Sequence, residues 1–217
     1  MTNRSASLSA ARKPQRARGH ERFAHLLDMT EALLEERPDE EITLAMIAER
    51  AEVPLPSVYH FFPNRNAIYV ELASRFHADL AALSRTPIDP APMRWQDLLR
   101  IRQVRGRDYL NMHPAALRLF MGAGVSAEVR TLDLRGNSSL AVRRAEEVRT
   151  RFDCASLDEL ERWLAISFGL MDGIWAISWA EHGIVTDDYM EEAWLATVAY
   201  LRCYLPEVLR PTGASWP

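Results

Sequence analysis

Between Thr43 and Arg65 the chain gathers the hydroxyls of Thr43, Ser57 and Tyr59, the imidazole of His60 and the guanidinium of Arg65. Hydroxyl and guanidinium groups donate hydrogen bonds to phosphate oxygens, and an imidazole can meet a phosphate or a base edge. Arrangements for covalent or metal chemistry are not found. His20, His25, His60, His77, His113 and His182 are scattered without an HExxH spacing, and Cys154 and Cys203 lie far apart in sequence. No glycine-rich loop follows a strand, and no Ser-His-Asp set has a scaffold to present it. The expectation is a protein that binds rather than catalyses, with no cofactor and no metal.

The elements that must position these groups are legible. TLAMIAERAEVPLPSVYHFFPNRNAI, Thr43 to Ile68, reads as two short helices joined by a tight turn, with a third helix restarting after Pro63. Thr43 is a good N-cap, and Ile42 and Ile47 can staple the first turn. Ile47, Ala48 and Ala51 share one helical face, and Val53, Val58 and Phe62 supply the facing apolar surface. The small Ala48 lets the two helices cross closely. This is the layout of a helix-turn-helix whose second helix enters the DNA major groove.

At these residues the chain resembles the DNA-binding part of the TetR family of bacterial transcriptional regulators. The family pattern is carried by Thr43, Ile47-Ala48, Ala51-Glu52-Val53, the triplet Pro54-Leu55-Pro56, then Ser57, Val58, Tyr59, His60-Phe61-Phe62, Pro63-Asn64 and Arg65. The match covers about the first third of the chain; the rest agrees in length and helical content. The resemblance implies a ligand-controlled DNA-binding regulator, a repressor released from its double-stranded operator by a small apolar molecule. It implies phosphate contacts from Thr43, Ser57, Tyr59 and Arg65, and base-edge contacts from Leu55, Pro56 and His60. The alternative from another class is an all-α ligand-binding or interaction protein without DNA binding.

Three departures from the family pattern bear on that choice. Glu52 replaces the usual turn glycine, which implies a left-handed backbone or another turn. Pro54 and Pro56 sit in the first turn of the recognition helix, where proline is tolerated but removes N–H donors. Phe61 stands where many members carry histidine. From Phe23 to Val70 the bases are Arg37, Arg50 and Arg65, against Asp28, Glu31, Glu35, Glu36, Asp39, Glu40, Glu41, Glu49 and Glu52. The basic N-terminal residues are then the expected source of long-range attraction to DNA.

The chain has 217 residues, 48% hydrophobic, with a net charge of −4. That is enough for a small domain and a larger one. Residues 1–18 hold Arg4, Arg12, Lys13, Arg16 and Arg18 and no acid, and read as a flexible basic arm. They contain no apolar run, so the expectation is a cytoplasmic protein with reduced cysteines. Residues 19–70 form the expected helix-turn-helix domain, and 71–217 a helical domain for ligand binding and dimerisation.

Helices are predicted over about Gly19–Glu36, Asn64–Leu83, Met93–Met112, Pro114–Gly122, Ser126–Arg151, Ser156–His182 and Thr186–Leu205, with a proline-rich connection over Thr86–Pro92. No segment alternates with period two, so the fold class is all-α. Trp163 to Ala180 is long enough to cross a bilayer, but Asp172 at its centre favours a buried helix in a soluble bundle, and no membrane association is expected. Ala165, Gly169, Gly173, Ala176 and Ala180 form a stripe of small residues there, and Met190, Ala193, Trp194, Thr197, Val198 and Leu201 line the last helix. The family resemblance implies a homodimer through these last two helices. Trp95, Tyr109, Met112, Phe120, Met121, Phe168, Met171 and Trp175 are candidates for an adaptable apolar pocket. Asp172, a carboxylate in an apolar helix, needs a partner and is a further candidate there.

Overall fold

The computed structural model describes residues 10–89, 93–122, 124–154 and 157–212. Arg4, the Pro90-Ala91-Pro92 part of the connection and the expected helix start at Ser156 lie outside the described residues. Among those described, the chain forms α1 (Ala17–Glu36), α2 (Leu44–Arg50), α3 (Leu55–Phe61), α4 (Arg65–Leu83), α5 (Trp95–Met112), α6 (Pro114–Met121), α7 (Ala127–Arg151), α8 (Leu160–His182) and α9 (Asp187–Leu201). One isolated antiparallel bridge, Phe152 with Pro211, ties the C-terminal segment to the end of α7. The all-α expectation holds.

Two compact units divide the chain. The first takes in the described residues up to Phe76 together with His113–Leu132, and the second the residues from His77 to Met112 and from Asp133 onward. In the first, α2 packs on α3 and α1, and α6 packs on α1. Leu26, Ile42, Ile47, Val58, Phe62, Ile68, Leu72 and Leu117 are fully buried at its centre. Phe23 joins this core edge-on to Phe61 and tilted against Phe62, with ring centroids 5.9 and 4.7 Å away. In the second unit α9 packs on α8 and α5, around Trp95, Leu98, Ala141, Ala145, Leu160, Leu164 and Leu201.

The helix ends follow local chemistry. Oγ1 of Thr43 accepts the Met46 N–H at 3.2 Å, and Oδ1 of Asn64 accepts the Ala67 N–H at 2.9 Å, so α2 and α4 start where their caps stand. Ser126 does the same for α7 through the Val129 N–H, at 3.2 Å. α8 ends at Gly183, whose φ of 72° few other residues adopt without strain. Two predicted boundaries need correction. α8 starts at Leu160, preceded by turn bonds from Leu157 N to Cys154 O and from Leu160 N to Leu157 O. α9 stops at Leu201 rather than Leu205, tightening through Cys203 N to Tyr200 O and Tyr204 N to Leu201 O. Pro206 follows, and the residue before a proline is disfavoured in a helix.

α8 is covered by its own chain on one side. It is the described helix long and apolar enough to cross a membrane, yet only 33% of its apolar window is buried in the chain. Leu164, Ser167, Met171, Asp172, Trp175 and Ser178 face inward. Ile166, Leu170 and Ile177 are exposed, as are Gly169 and Gly173. The chain itself covers one face of this helix. Asp172 has its partner inside the unit, since Asn137 Nδ2 donates to Asp172 Oδ2 at 2.6 Å.

Gly136 on α7 is required by a close approach. A Cβ at this position would lie 2.3 Å from Nδ1 of His77. That ring is nearly buried and held by Asp133 through Nε2 at 3.2 Å. Gly136→Ala should therefore destabilise the protein by about 1–3 kcal/mol through overpacking, outweighing the roughly 0.5–1 kcal/mol that alanine gains in a helix. Thermal melts should show the loss shrinking when His77→Ala supplies the missing room.

Candidate nucleic-acid interface

α3 turns Val58 and Phe61 into the core and leaves Pro56, Tyr59 and His60 outward. Tyr59 is 50% exposed, a large side chain with no packing reason to be on the surface. Leu55 and Ser57 are half-buried at the start of the helix. Pro54 occupies the N-cap position and its carbonyl accepts the Ser57 N–H at 2.8 Å. The two prolines thus stand where the missing N–H groups have no intrahelical carbonyl to meet. Before α3 the chain turns through Glu52, whose φ of 54° is the positive value among described non-glycine residues. Left-handed backbone is disfavoured by about 1–2 kcal/mol for an L-residue, and the Val53 N–H closes the turn on the Ala48 carbonyl at 3.0 Å.

Thr43 is exposed at the head of α2. Its oxygen is used as the cap acceptor, which leaves the hydroxyl proton to donate outward. Arg65 opens α4 in an ion pair with Glu41, and its guanidinium carbon lies 5.7 Å from the Tyr69 ring centroid. Arg50 pairs with Glu36 and Arg37 with Glu40. The cations of the helix-turn-helix therefore carry local carboxylate partners, and a phosphate must compete with Glu41 for Arg65.

Further basic side chains lie next to it. Arg18, Arg22 and His25 line an open cleft with Glu21, Ser57, His60 and Phe61. Sequence reasoning passed over Arg22 and His25. The available signal was their spacing with Arg18, i, i+4 and i+7, which sets all three on one face of α1. His25 Nε2 sits 3.3 Å from the Ala51 carbonyl and so ties α1 to the end of α2. The N-terminal residues continue the same surface. The Arg12 N–H donates to the Phe61 carbonyl at 2.7 Å, and Lys13 lies 3.5 Å from Glu71. Arg18 is already in α1, which begins at Ala17.

Elsewhere in this unit Glu31, Glu35 and His113 bring ligand atoms within 4.8 Å of one another. Glu31 already pairs with Arg75 through one oxygen and faces His113 Nδ1 at 3.2 Å through the other. Burial, and then the neighbouring Glu31, push the Glu35 carboxyl above its ordinary range. An acid with a raised folded pKa costs stability above that value and nothing below the unfolded value of about 4.3. Glu35→Gln should therefore stabilise the protein at neutral pH, with the gain vanishing as melts are taken to lower pH.

The nine residues expected at a ligand pocket divide between the units. Phe120 and Met121 belong to the first, where Phe120 lies edge-on to Phe76 at 6.3 Å. The other seven belong to the second. Trp95 is core, its Nε1 donating to the Pro206 carbonyl at 3.0 Å. Met171, Asp172 and Trp175 are buried on the inner face of α8, and Phe168 is partly buried. Tyr109 donates to Asp79 at 3.0 Å, and Met112 is 71% exposed.

Comparison with known proteins agrees with this arrangement. Residues 26–72 match the family described as bacterial regulatory proteins, tetR family. The chain is 34% identical over 88 residues to the HTH-type transcriptional regulator EthR of Mycobacterium tuberculosis, a match that takes in 39% of this chain and 41% of that protein. Among solved structures, a TetR-family regulator from Streptomyces coelicolor superposes with a TM-score of 0.57 at 22% identity, over 85% of this chain and 99% of that one. A TetR regulator from Rhodococcus sp. RHA1 gives 0.62 at 15% identity, over 85% and 97%. SmeT, the repressor of a Stenotrophomonas maltophilia multidrug efflux pump, gives 0.60 at 18% identity, over 90% and 96%. Residues 26–72 therefore carry the helix-turn-helix domain of the tetR family, and the fold of the chain is like that of solved TetR-family regulators.

Proposed function

We propose that the chain is a ligand-controlled DNA-binding transcriptional regulator, a repressor that leaves its operator when a small apolar molecule binds. The observation that carries this reading is the outward face of α3, where Ser57, Tyr59 and His60 stand beside the Arg18–Arg22–His25 face of α1. Thr43, Ser57, Tyr59 and Arg65 serve the phosphates. Leu55 and Pro56 offer apolar contact to a thymine methyl, and His60 a donor to a purine. With so few polar readers, recognition leans on groove shape and phosphate geometry. Residues 19–70 carry DNA binding, and 71–217 carry ligand binding and dimerisation. The effector is held by apolar and aromatic residues of that second part, Phe168, Met171 and Trp175 among them. Two copies associate through α8 and α9, and the protein works in the cytoplasm, where the chromosome is. No catalysis enters this reading.

The test is a gel-shift titration with duplex DNA from upstream of the protein's own gene. A saturable shift that survives excess non-specific competitor supports the reading, and its absence there and at adjacent divergent promoters opposes it. Tyr59→Phe removes one hydroxyl and little packing. The lost hydrogen bond is worth about 1 kcal/mol or somewhat more with a charged acceptor. Operator affinity should fall about fivefold to tenfold with the fold intact, and unchanged affinity at fixed salt takes Tyr59 off the interface.

A further inference from the structure

In the second unit, Glu147 on α7 is shared by three arginines. Arg102 binds it with two bonds, Nε to Oε2 at 3.1 Å and Nη2 to Oε1 at 2.5 Å. Arg144 donates to Oε2, and Arg151 Nε lies 3.9 Å from Oε1. The side chains of Arg102 and Arg144 are each 7% exposed, and those of Glu147 and Arg151 17% and 24%. Two buried guanidinium groups and a third that is partly exposed therefore meet one carboxylate.

Backbone carbonyls answer part of this excess. Arg102 Nη1 donates to the Thr86 carbonyl at 2.8 Å, and Arg151 donates to those of Ile88 and Asp89 at 3.1 and 3.4 Å. Among the described residues, Arg144 has no such help. Among them it makes one hydrogen bond, to a carboxylate that Arg102 already holds with two, although a guanidinium carries five N–H donors. A buried charge is stable when paired and hydrogen-bonded, and costly when it is not. Burial first, and then repulsion from Arg102, lower the Arg144 pKa to about 10, while Glu147 opposes both.

We propose that Arg144 and Arg102, with Arg151 beside them, form a binding site for an oxyanion, the carboxylate or phosphate group of a small molecule. Guanidinium forks match such groups with paired hydrogen bonds. An anion seated there uses the donors that Glu147 cannot reach and brings the local charge toward balance. The site belongs to the second unit alone and does not depend on DNA binding.

The test is thermal unfolding of the full chain, titrated with sodium phosphate and separately with sodium acetate, against sodium chloride at matched ionic strength. Phosphate also stabilises proteins generally by exclusion from their surface, so the result is read as the difference between wild type and Arg144→Gln. The wild type should show a rise in Tm that saturates, lost in Arg144→Gln and reduced in Arg144→Lys. A response to phosphate alone assigns a phosphate group, and one to acetate a carboxylate. Equal responses in wild type and Arg144→Gln for both anions overturn the proposal. Should Arg144→Gln fail to fold, equilibrium dialysis of radiolabelled phosphate and acetate against the wild type decides. Binding of either near one per chain supports the site, and binding of neither overturns it.

Discussion

Gly173→Arg should convert the protein to monomers and with that abolish operator binding at concentrations where the wild type saturates its site. Gly173 lies on the exposed face of α8, and a Cβ there meets nothing within 4 Å in its own chain. Arginine is a better helix former than glycine by about 0.7 kcal/mol or more, so the subunit has no reason to unfold. Exposed Ile166, Leu170 and Ile177 flank the position, with Ile177 51% exposed, and exposed Leu195 lies on α9. An apolar face of this kind marks an interaction surface, and a small-residue stripe lets a second helix approach closely. A guanidinium on a long stem removes that approach and buries a charge without a partner. Ile177→Asp should act in the same direction by a different chemistry. Light scattering and circular dichroism together decide: monomers with full helix content are expected, and an intact dimer from both variants moves the interface elsewhere.

The second large effect concerns the N-terminal arginines. The cations within the helix-turn-helix, Arg37, Arg50 and Arg65, are engaged by Glu40, Glu36 and Glu41. Lys13 faces Glu71. Arg12 and Arg16 precede α1, on a segment anchored to Phe61 by a backbone hydrogen bond, and Arg4 comes earlier in the same arm. Each phosphate neutralised on duplex DNA contributes about −0.9 to the slope of log affinity against log salt. Replacing Arg4, Arg12 and Arg16 by glutamine should weaken binding at low salt. If two or three of them engage in each subunit of a dimer, the slope flattens by about 3.6 to 5.4 units. Substitution rather than truncation keeps the backbone anchor in place. Superimposable salt titrations of the two proteins would show that these arginines are passengers and that α1 and α3 suffice.

How much of this was legible in the amino-acid sequence depends on how local the cause was. Thr43 and Asn64 cap α2 and α4 through bonds three residues long, and both were readable from residue type and position. Glu52, where glycine is usual, left a left-handed backbone or another turn open, and its φ of 54° decides for the first. The surroundings of α8 were legible only in part. Apolarity on every face shows that each face needs cover, but not whether the same chain supplies it. The partner of Asp172, Asn137, lies on another helix, and no periodicity points to it. Arg144, Glu147 and Arg151 are visible as a spaced set on one helix, but Arg102 reaches Glu147 from α5 and adds a further buried positive charge to it. Arg22 and His25 gained their meaning only when α3 was placed beside α1. For the same reason His113–Leu132 joins the first compact unit although it is far from that unit in sequence.

The central claim is that α3 presents a surface that recognises a particular duplex DNA sequence. It is tested most directly by repeated selection of the full-length protein on a pool of random duplexes, with Tyr59→Phe and a Ser57→Glu variant carried in parallel. A two-fold symmetric DNA sequence should be enriched by the wild type, recovered more weakly by Tyr59→Phe, and lost by Ser57→Glu, whose added carboxylate faces phosphate. A wild-type pool that stays random, or one that Ser57→Glu enriches equally, would contradict the account.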